Sequence, residues 1–160
     1  MSFQKRIPKV HTLSSALERA RKYCAYQERS QQEVRDKLYD LGLHKNEVEQ
    51  GIVILIEDGF LNEQRFAVAF AGGKFRVNKW GKVKIKLALK AKKVSDYCVR
   101  HALGQISPAD YEKTLNKVLS DRKKKVTEKD PIKQKYLLAQ YAIGRGYEPE
   151  MVWDALKMNE

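Results

Sequence analysis

Five apolar positions recur three times along the chain, and that recurrence limits the possible folds more than any other feature. Val34, Leu38, Leu43, Val48 and Ile52 reappear 51 residues later as Ile85, Leu89, Val94, Val99 and Leu103, and 53 residues further on as Leu138, Ala142, Tyr147, Val152 and Leu156. Residues four apart share one face of a helix at 3.6 residues per turn. The spacing of four, five, five and four therefore puts the first pair on one helix, the middle residue in a short link and the last pair on a second helix. Each unit adds a preceding helical stretch, which gives three tandem three-helix units near 12–60, 61–105 and 106–158 behind a flexible 1–11. The expected fold class is all-α, an elongated array of three such repeats with no sheet, each repeat mainly contacting its neighbour.

Helix-start signals support this partition. Ser15 with Glu18, Ser30 with Glu33 and Asn46 with Glu49 each place a short polar residue three positions before an acid, the pattern that satisfies orphan amides of a first turn. Pro108, Pro131 and Pro149 follow Ser107, Asp130 and Glu148, and proline suits a first helical position because its missing N–H costs nothing there. Asn62 and Ser95 cap two helices of the middle unit, and Trp80-Gly81 marks the start of its other helix. The expected helices span 16–28, 31–41, 47–58, 63–77, 81–91, 96–104, 108–126, 131–144 and 149–158. Strand-like alternation is confined to Lys82–Leu87, and a lone strand of that length would lack a partner, so helix is expected there too.

The charge is unevenly placed. The 160 residues carry a net charge of +12, of which the middle unit holds eleven basic side chains against two acidic ones. Lys74, Arg76, Lys79, Lys82, Lys84, Lys86, Lys90, Lys92 and Lys93 follow one another with no acid between them. Along a helix at about 100° per residue, Lys79, Lys82, Lys86, Lys90 and Lys93 fall in one stripe roughly 80° wide. A solvated face is the usual meaning of a charge run. The lack of any acid favours a polyanionic partner instead, because like charge this dense repels itself. The second cluster, Arg122–Lys125, ends a helix, where cations already suit the negative pole of the helix dipole. Trp80 is expected as a core anchor, and Tyr23, Tyr26, Tyr136, Tyr141, Phe66 and Phe70 as packing residues.

Other classes find little support. Apolar runs such as Ile52–Ile56 fall far short of the roughly 20 residues of a membrane helix, and no secretion signal is visible at Met1–Val10. Cys24 and Cys98, like His11, His44 and His101, are scattered, so neither a disulfide framework nor a metal site is expected; buried thiols in a reducing cytoplasm are the simplest reading. Ala71-Gly72-Gly73-Lys74 lacks the first glycine and the hydroxyl residue of a phosphate loop, and Gly144-Arg145-Gly146 is too short for a dinucleotide fingerprint. No catalytic constellation emerges, and no cofactor is expected.

Certain residues carry a resemblance to a known family. Arg29-Ser30, Glu33-Val34 and Lys37-Leu38, then Asp58-Gly59-Phe60-Leu61-Asn62-Glu63 with Arg65-Phe66-Ala67, then Lys79-Trp80-Gly81 with Lys84-Ile85 and Leu89, resemble in order the signatures of the bacterial RecX family. Two positions depart from it: the family commonly has Asp where Glu63 stands and Gly at Lys93. The resemblance implies a regulator of RecA that lodges in the groove of the RecA filament on single-stranded DNA and curbs its growth, ATPase and strand exchange in DNA repair; the residues themselves add the expectation of a monomeric, cytoplasmic protein that is not an enzyme. On charge alone, the nine basic residues from Lys74 to Lys93 are expected to contact the filament or DNA. A plain helical-repeat protein binding the phosphates of single- or double-stranded DNA would need the same lysines, and a scaffold using charge for solubility is the third alternative.

Overall fold

The computed structural model describes residues 11–158, so the flexible segment expected over 1–11 lies, His11 apart, outside the described residues. Nine helices run through them: α1 Leu13–Tyr26, α2 Gln31–Asp40, α3 Lys45–Glu57, α4 Glu63–Arg76, α5 Lys82–Ala91, α6 Asp96–Gly104, α7 Pro108–Lys123, α8 Pro131–Gly144 and α9 Pro149–Met158. No strand occurs among the described residues, and the alternating Lys82–Leu87 segment is helical. Fourteen of the fifteen recurrent apolar positions are buried; Leu103 is half-buried. The first pair of each set lies on α2, α5 or α8, the middle residue in the following link, and the last pair on α3, α6 or α9.

The links share a backbone device. At one position of the repeat, the residue just past the middle helix turns into the left-handed region: Gly42 at φ 90°, Lys93 at φ 60° and Gly146 at φ 102°. This conformation ends a helix while its last carbonyls still find donors. Thus Leu43 N donates to Leu38 O at 3.3 Å, and Tyr147 N to Ala142 O at 3.2 Å. Lys93 makes the same turn without glycine's freedom.

By compactness the chain divides into two units. The first comprises residues up to Phe66 together with Lys92–Val94, the second residues 67–91 and 95 onward. In the first, α1, α2 and α3 pack against one another around Ala16, Leu17, Ala20, Val34, Leu38, Val48, Ile52 and Leu55. Ser30 is fully buried and closes a capping box: Glu33 N donates to Ser30 Oγ at 3.1 Å and Ser30 N to Glu33 Oε2 at 3.2 Å. In the second unit α5 packs on α6, and α7, α8 and α9 pack together.

Several local expectations need correction. Thr12, not Ser15, caps α1, accepting from Ser15 N at 3.2 Å. Asn46 is not the start of α3; His44 is, with Glu47 reaching back to its N–H at 3.5 Å. Tyr26 and Tyr136 are exposed, at 83% and 56%, so neither is a packing residue. Both cysteines are free and buried, and burial raises the Cys24 pKa against the opposing pull of Arg29. Gly72-Gly73-Lys74 lies inside α4, where its amides serve the helix, and Gly144-Arg145-Gly146 forms the turn out of α8.

Candidate functional site

The basic segment begins on the last turn of α4 and continues across a tight turn into α5. Lys79 makes that turn possible, entering the left-handed region at φ 56° while its N–H donates to Phe75 O at 3.0 Å and Trp80 N donates to Lys74 O at 3.1 Å. Gly81 N then donates to Arg145 O and Val83 N to Gly146 O, each at 2.9 Å. The first turn of α5 is thus capped by backbone from the α8–α9 turn. A side chain completes the cap: Tyr111 OH on α7 accepts from Lys82 N at 3.0 Å and donates to the Glu148 carboxylate at 2.8 Å.

Three rings in tilted contact lie beneath the turn. The centroids of Phe75 and Tyr111 are 5.8 Å apart and those of Tyr111 and Tyr147 5.2 Å, within the range of favourable aromatic pairs. Tyr147 OH donates to Lys79 O at 2.9 Å, fixing the carbonyl of the strained residue. Burial, with the Glu148 carboxylate adding to it, pushes the Tyr111 phenol far above its ordinary range. Burial likewise pushes Tyr147 up to about 12. Both hydroxyls are therefore neutral donors at physiological pH. Tyr147 is legible in the sequence only as a recurrent apolar position and Tyr111 not at all, because their pairing with the α4–α5 turn joins positions 29 and 68 residues apart.

Placed on this scaffold, the basic side chains differ in their surroundings. Lys74 Nζ sits 5.5 Å from the Phe70 ring and 5.0 Å from the Trp80 ring, and Lys84 Nζ 4.5 Å from Trp80. Trp80, expected as a core anchor, is instead half-buried and flanked by two ammonium groups. Lys82 Nζ lies 4.9 Å from the Tyr111 ring, and Arg76 folds its guanidinium back over Gly72. Contacts of this kind hold a cation for about 0.5–1 kcal/mol at exposed sites and leave its charge intact.

Within α5, Lys82, Lys86 and Lys90 keep the stripe expected of them. Lys79 and Lys93 lie outside the helix, on its two left-handed turns. Lys86 is exposed, as are Val83 and Leu87 on the same outer side, the latter at 65%. Lys90 Nζ stands 3.5 Å from Asp96, an exposed pair of small energetic weight. In the first unit Lys92 Nζ meets Glu33 Oε1 at 2.8 Å, sharing the carboxylate that caps α2. The arrangement is a cationic, partly apolar surface with its backbone pinned from below. Among the described residues no group of three His, Cys, Asp or Glu side chains is placed to hold a metal, and no helix is long and apolar enough to cross a membrane.

Comparison with known proteins gives a consistent answer. Two family models match, described as the first and second three-helix domains of RecX, over residues 16–52 and 62–103. The chain is 29% identical to "Regulatory protein RecX" of Clostridium acetobutylicum, covering 81% of this chain and 61% of that protein. It is 31% identical to the protein of the same name from Bacillus cereus strain B4264, over 81% of this chain and 48% of the relative. The chain thus spans about half to three fifths of the length of these curated relatives. Among solved structures, RecX from Lactobacillus salivarius has the same fold, with a TM-score of 0.85 at 20% identity over 91% of this chain and 95% of that one. A second structure, described as regulatory protein RecX, superposes with a TM-score of 0.82 at 17% identity over 91% and 71%.

Proposed function

The chain belongs to the RecX family, and from that premise we propose that it is a monomeric, non-enzymatic regulator of RecA, binding the RecA filament on single-stranded DNA and lowering its ATP hydrolysis and strand exchange. The observation that carries this reading is the acid-free sequence segment from Lys74 to Lys93, nine cations with no intervening acid in a chain whose remaining parts are nearly balanced. A filament groove lined by protein and by the phosphates of the enclosed strand is polyanionic. Cations steer such an encounter, and exposed Val83 and Leu87 beside Lys86 supply apolar contact that naked DNA would not use. The three-helix units near 12–60, 61–105 and 106–158 serve in this reading as successive blocks, the middle one carrying most of the charge.

Co-sedimentation with RecA filaments and with naked single-stranded DNA, with RecA ATPase followed in parallel, tests the proposal. A preference for the filament with falling hydrolysis is the expected result. Equal affinity for both, with hydrolysis unaffected at saturation, would favour a plain DNA-binding protein.

A further inference from the structure

Four cationic residues from three separate segments line a small cavity of about 180 Å³. Lys79 comes from the α4–α5 turn, Arg122 from the last turn of α7, Lys125 from the turn that follows it, and Arg145 from the turn after α8; Asp121 is the acidic residue of its wall, and Tyr141 also lines it. Four positive charges around one carboxylate leave a surplus that the fold does not neutralise locally.

Two of the cationic side chains and the backbone of a third residue are held in place by the protein itself. The Arg145 guanidinium donates through Nη2 to the carbonyl of Asn78, and its buried Nε has no acceptor among the described residues. Its fork therefore has donor capacity that internal bonds leave unused. Arg122 lies with its guanidinium 4.4 Å from the centre of the Tyr141 ring, which orients the plane without consuming its charge. Lys79 is anchored through its carbonyl by Tyr147, so its left-handed backbone cannot swing away.

The size and chemistry suit one oxyanion. At about 30 Å³ per water, 180 Å³ holds about six waters, room for a hydrated phosphate group. Arg122 and Lys125 also line a broader trough of about 600 Å³ whose walls include Val126 and Leu137. A free phosphate would have no use for that trough, whereas a nucleotide flanking a seated phosphodiester would fill it. A flexible single strand can bend a phosphate into a concave seat, while duplex DNA, with a persistence length of about 150 base pairs, does so only at an elastic cost.

We propose that this cavity seats a phosphodiester of single-stranded nucleic acid, with Lys79, Arg122, Lys125 and Arg145 as its ligands. The proposal rests on the reading that the chain works on nucleoprotein filaments, and it adds a contact point on the last three helices to the surface carried by α4 and α5.

The test is binding of a labelled oligo(dT) by the full chain without RecA, titrated with salt, for wild type, for the double variant R122A/K125A, for K125A alone, and for the charge-keeping pair R122K/K125R. Affinity is expected to fall at least tenfold in the double variant. Its logarithmic salt slope should shrink by about 1.4, since each contact on a single strand contributes about 0.7. The charge-keeping pair should restore most of the loss, and K125A should lie between, with helicity by circular dichroism unchanged. Unchanged affinity and slope in R122A/K125A, or no wild-type binding at low salt, would overturn the site. Orthophosphate alone is the second probe: saturation of the Arg122 and Arg145 side-chain NMR signals by phosphate that oligo(dT) cannot displace would mark a free-anion site and overturn the nucleic-acid assignment. RecA ATPase is measured separately on wild type, so a failure of the filament reading shows there and leaves the oligo(dT) result to decide the cavity.

Discussion

Gly81 and Gly146 lie backbone against backbone. A Cβ on Gly81 would overlap the carbonyl of Gly146, and a Cβ on Gly146 would overlap Lys84. The gap is closed by the hydrogen bonds from Gly81 N to Arg145 O and from Val83 N to Gly146 O. Through this contact the turn leading into the basic helix is built partly by Arg145 and Gly146, from the far turn after α8. Gly144-Arg145-Gly146, weak as a nucleotide signature, is one side of this contact, and Trp80-Gly81 is the other.

Gly81→Ala is therefore expected to destabilise the chain by about 2–3 kcal/mol, the range of overpacking where no side chain can yield. Gly73→Ala provides the opposite sign. Gly73 sits within α4 with open space where a Cβ would go, so alanine should stabilise by up to about 1 kcal/mol through helix propensity. Urea unfolding of the two variants checks both. Equal midpoints would contradict the contact.

Lys93 occupies the left-handed position that glycine fills at 42 and 146. An L-residue there carries roughly 1–2 kcal/mol of backbone cost. Lys93→Gly recovers part of it, less the extra freedom glycine gains in the unfolded chain. A net gain of about 0.5–1 kcal/mol is expected, and none for Lys93→Ala, which keeps the Cβ. Thermal unfolding of both variants separates backbone relief from loss of a charge.

How far the sequence could be read is visible in these same elements. Apolar spacing located α2, α3, α5, α6, α8 and α9 because burial on one face repeats with the helix period, and fourteen buried positions follow from it. Helix starts were less legible where several residues could cap. Thr12, Ser14 and Ser15 compete before α1, and alignment of Leu13 with Leu17 settles the choice in favour of Thr12. At α3 the cap is a backbone arrangement around His44 that residue type does not announce. The cations were legible as charge. Their roles were not, since the Tyr111, Glu148 and Arg145 contacts that fix the α4–α5 turn are made across long stretches of chain.

Tyr111 and Tyr147 give stability a defined alkaline limb. In both, the folded pKa lies above the ordinary phenol value of about 10 because burial disfavours the phenolate. Between the unfolded and folded values the native state binds more protons, so stability is fully present below pH 10 and falls as pH rises above it. For Tyr147 the loss should be complete once pH passes about 12. Tyr147→Phe is expected to flatten part of this slope in urea titrations between pH 9 and 12 (a range chosen around the ordinary value of about 10). At neutral pH, Tyr111→Phe should cost about 1–3 kcal/mol, because Lys82 N and the Glu148 carboxylate both lose a partner. A slope identical to wild type in Tyr147→Phe would show that other groups govern the alkaline loss.

Removing charge from Lys82, Lys86 and Lys90 together should weaken binding to RecA filaments while leaving the fold in place. The three share one stripe of α5, and none of their side chains is buried. Surface substitutions usually shift stability by within about 0.5 kcal/mol each. Lys82 will add the small loss of its contact with the Tyr111 ring, so circular dichroism and the unfolding midpoint should change little. Binding is expected to respond in two parts. On naked single-stranded DNA, each lost phosphate contact removes about 0.7 from the logarithmic salt slope, and the deficit should vanish at high salt. On RecA-coated DNA a salt-resistant remainder should persist in the triple variant, because Val83 and Leu87 remain exposed beside the stripe. Substituting those two residues with serine should then remove the remainder and spare the salt-sensitive part. Paired salt titrations on the two substrates, with ATP hydrolysis followed on the second, distinguish the contributions. If the triple variant binds both substrates like wild type at low salt, the α5 stripe is solvated surface and the binding charge lies elsewhere.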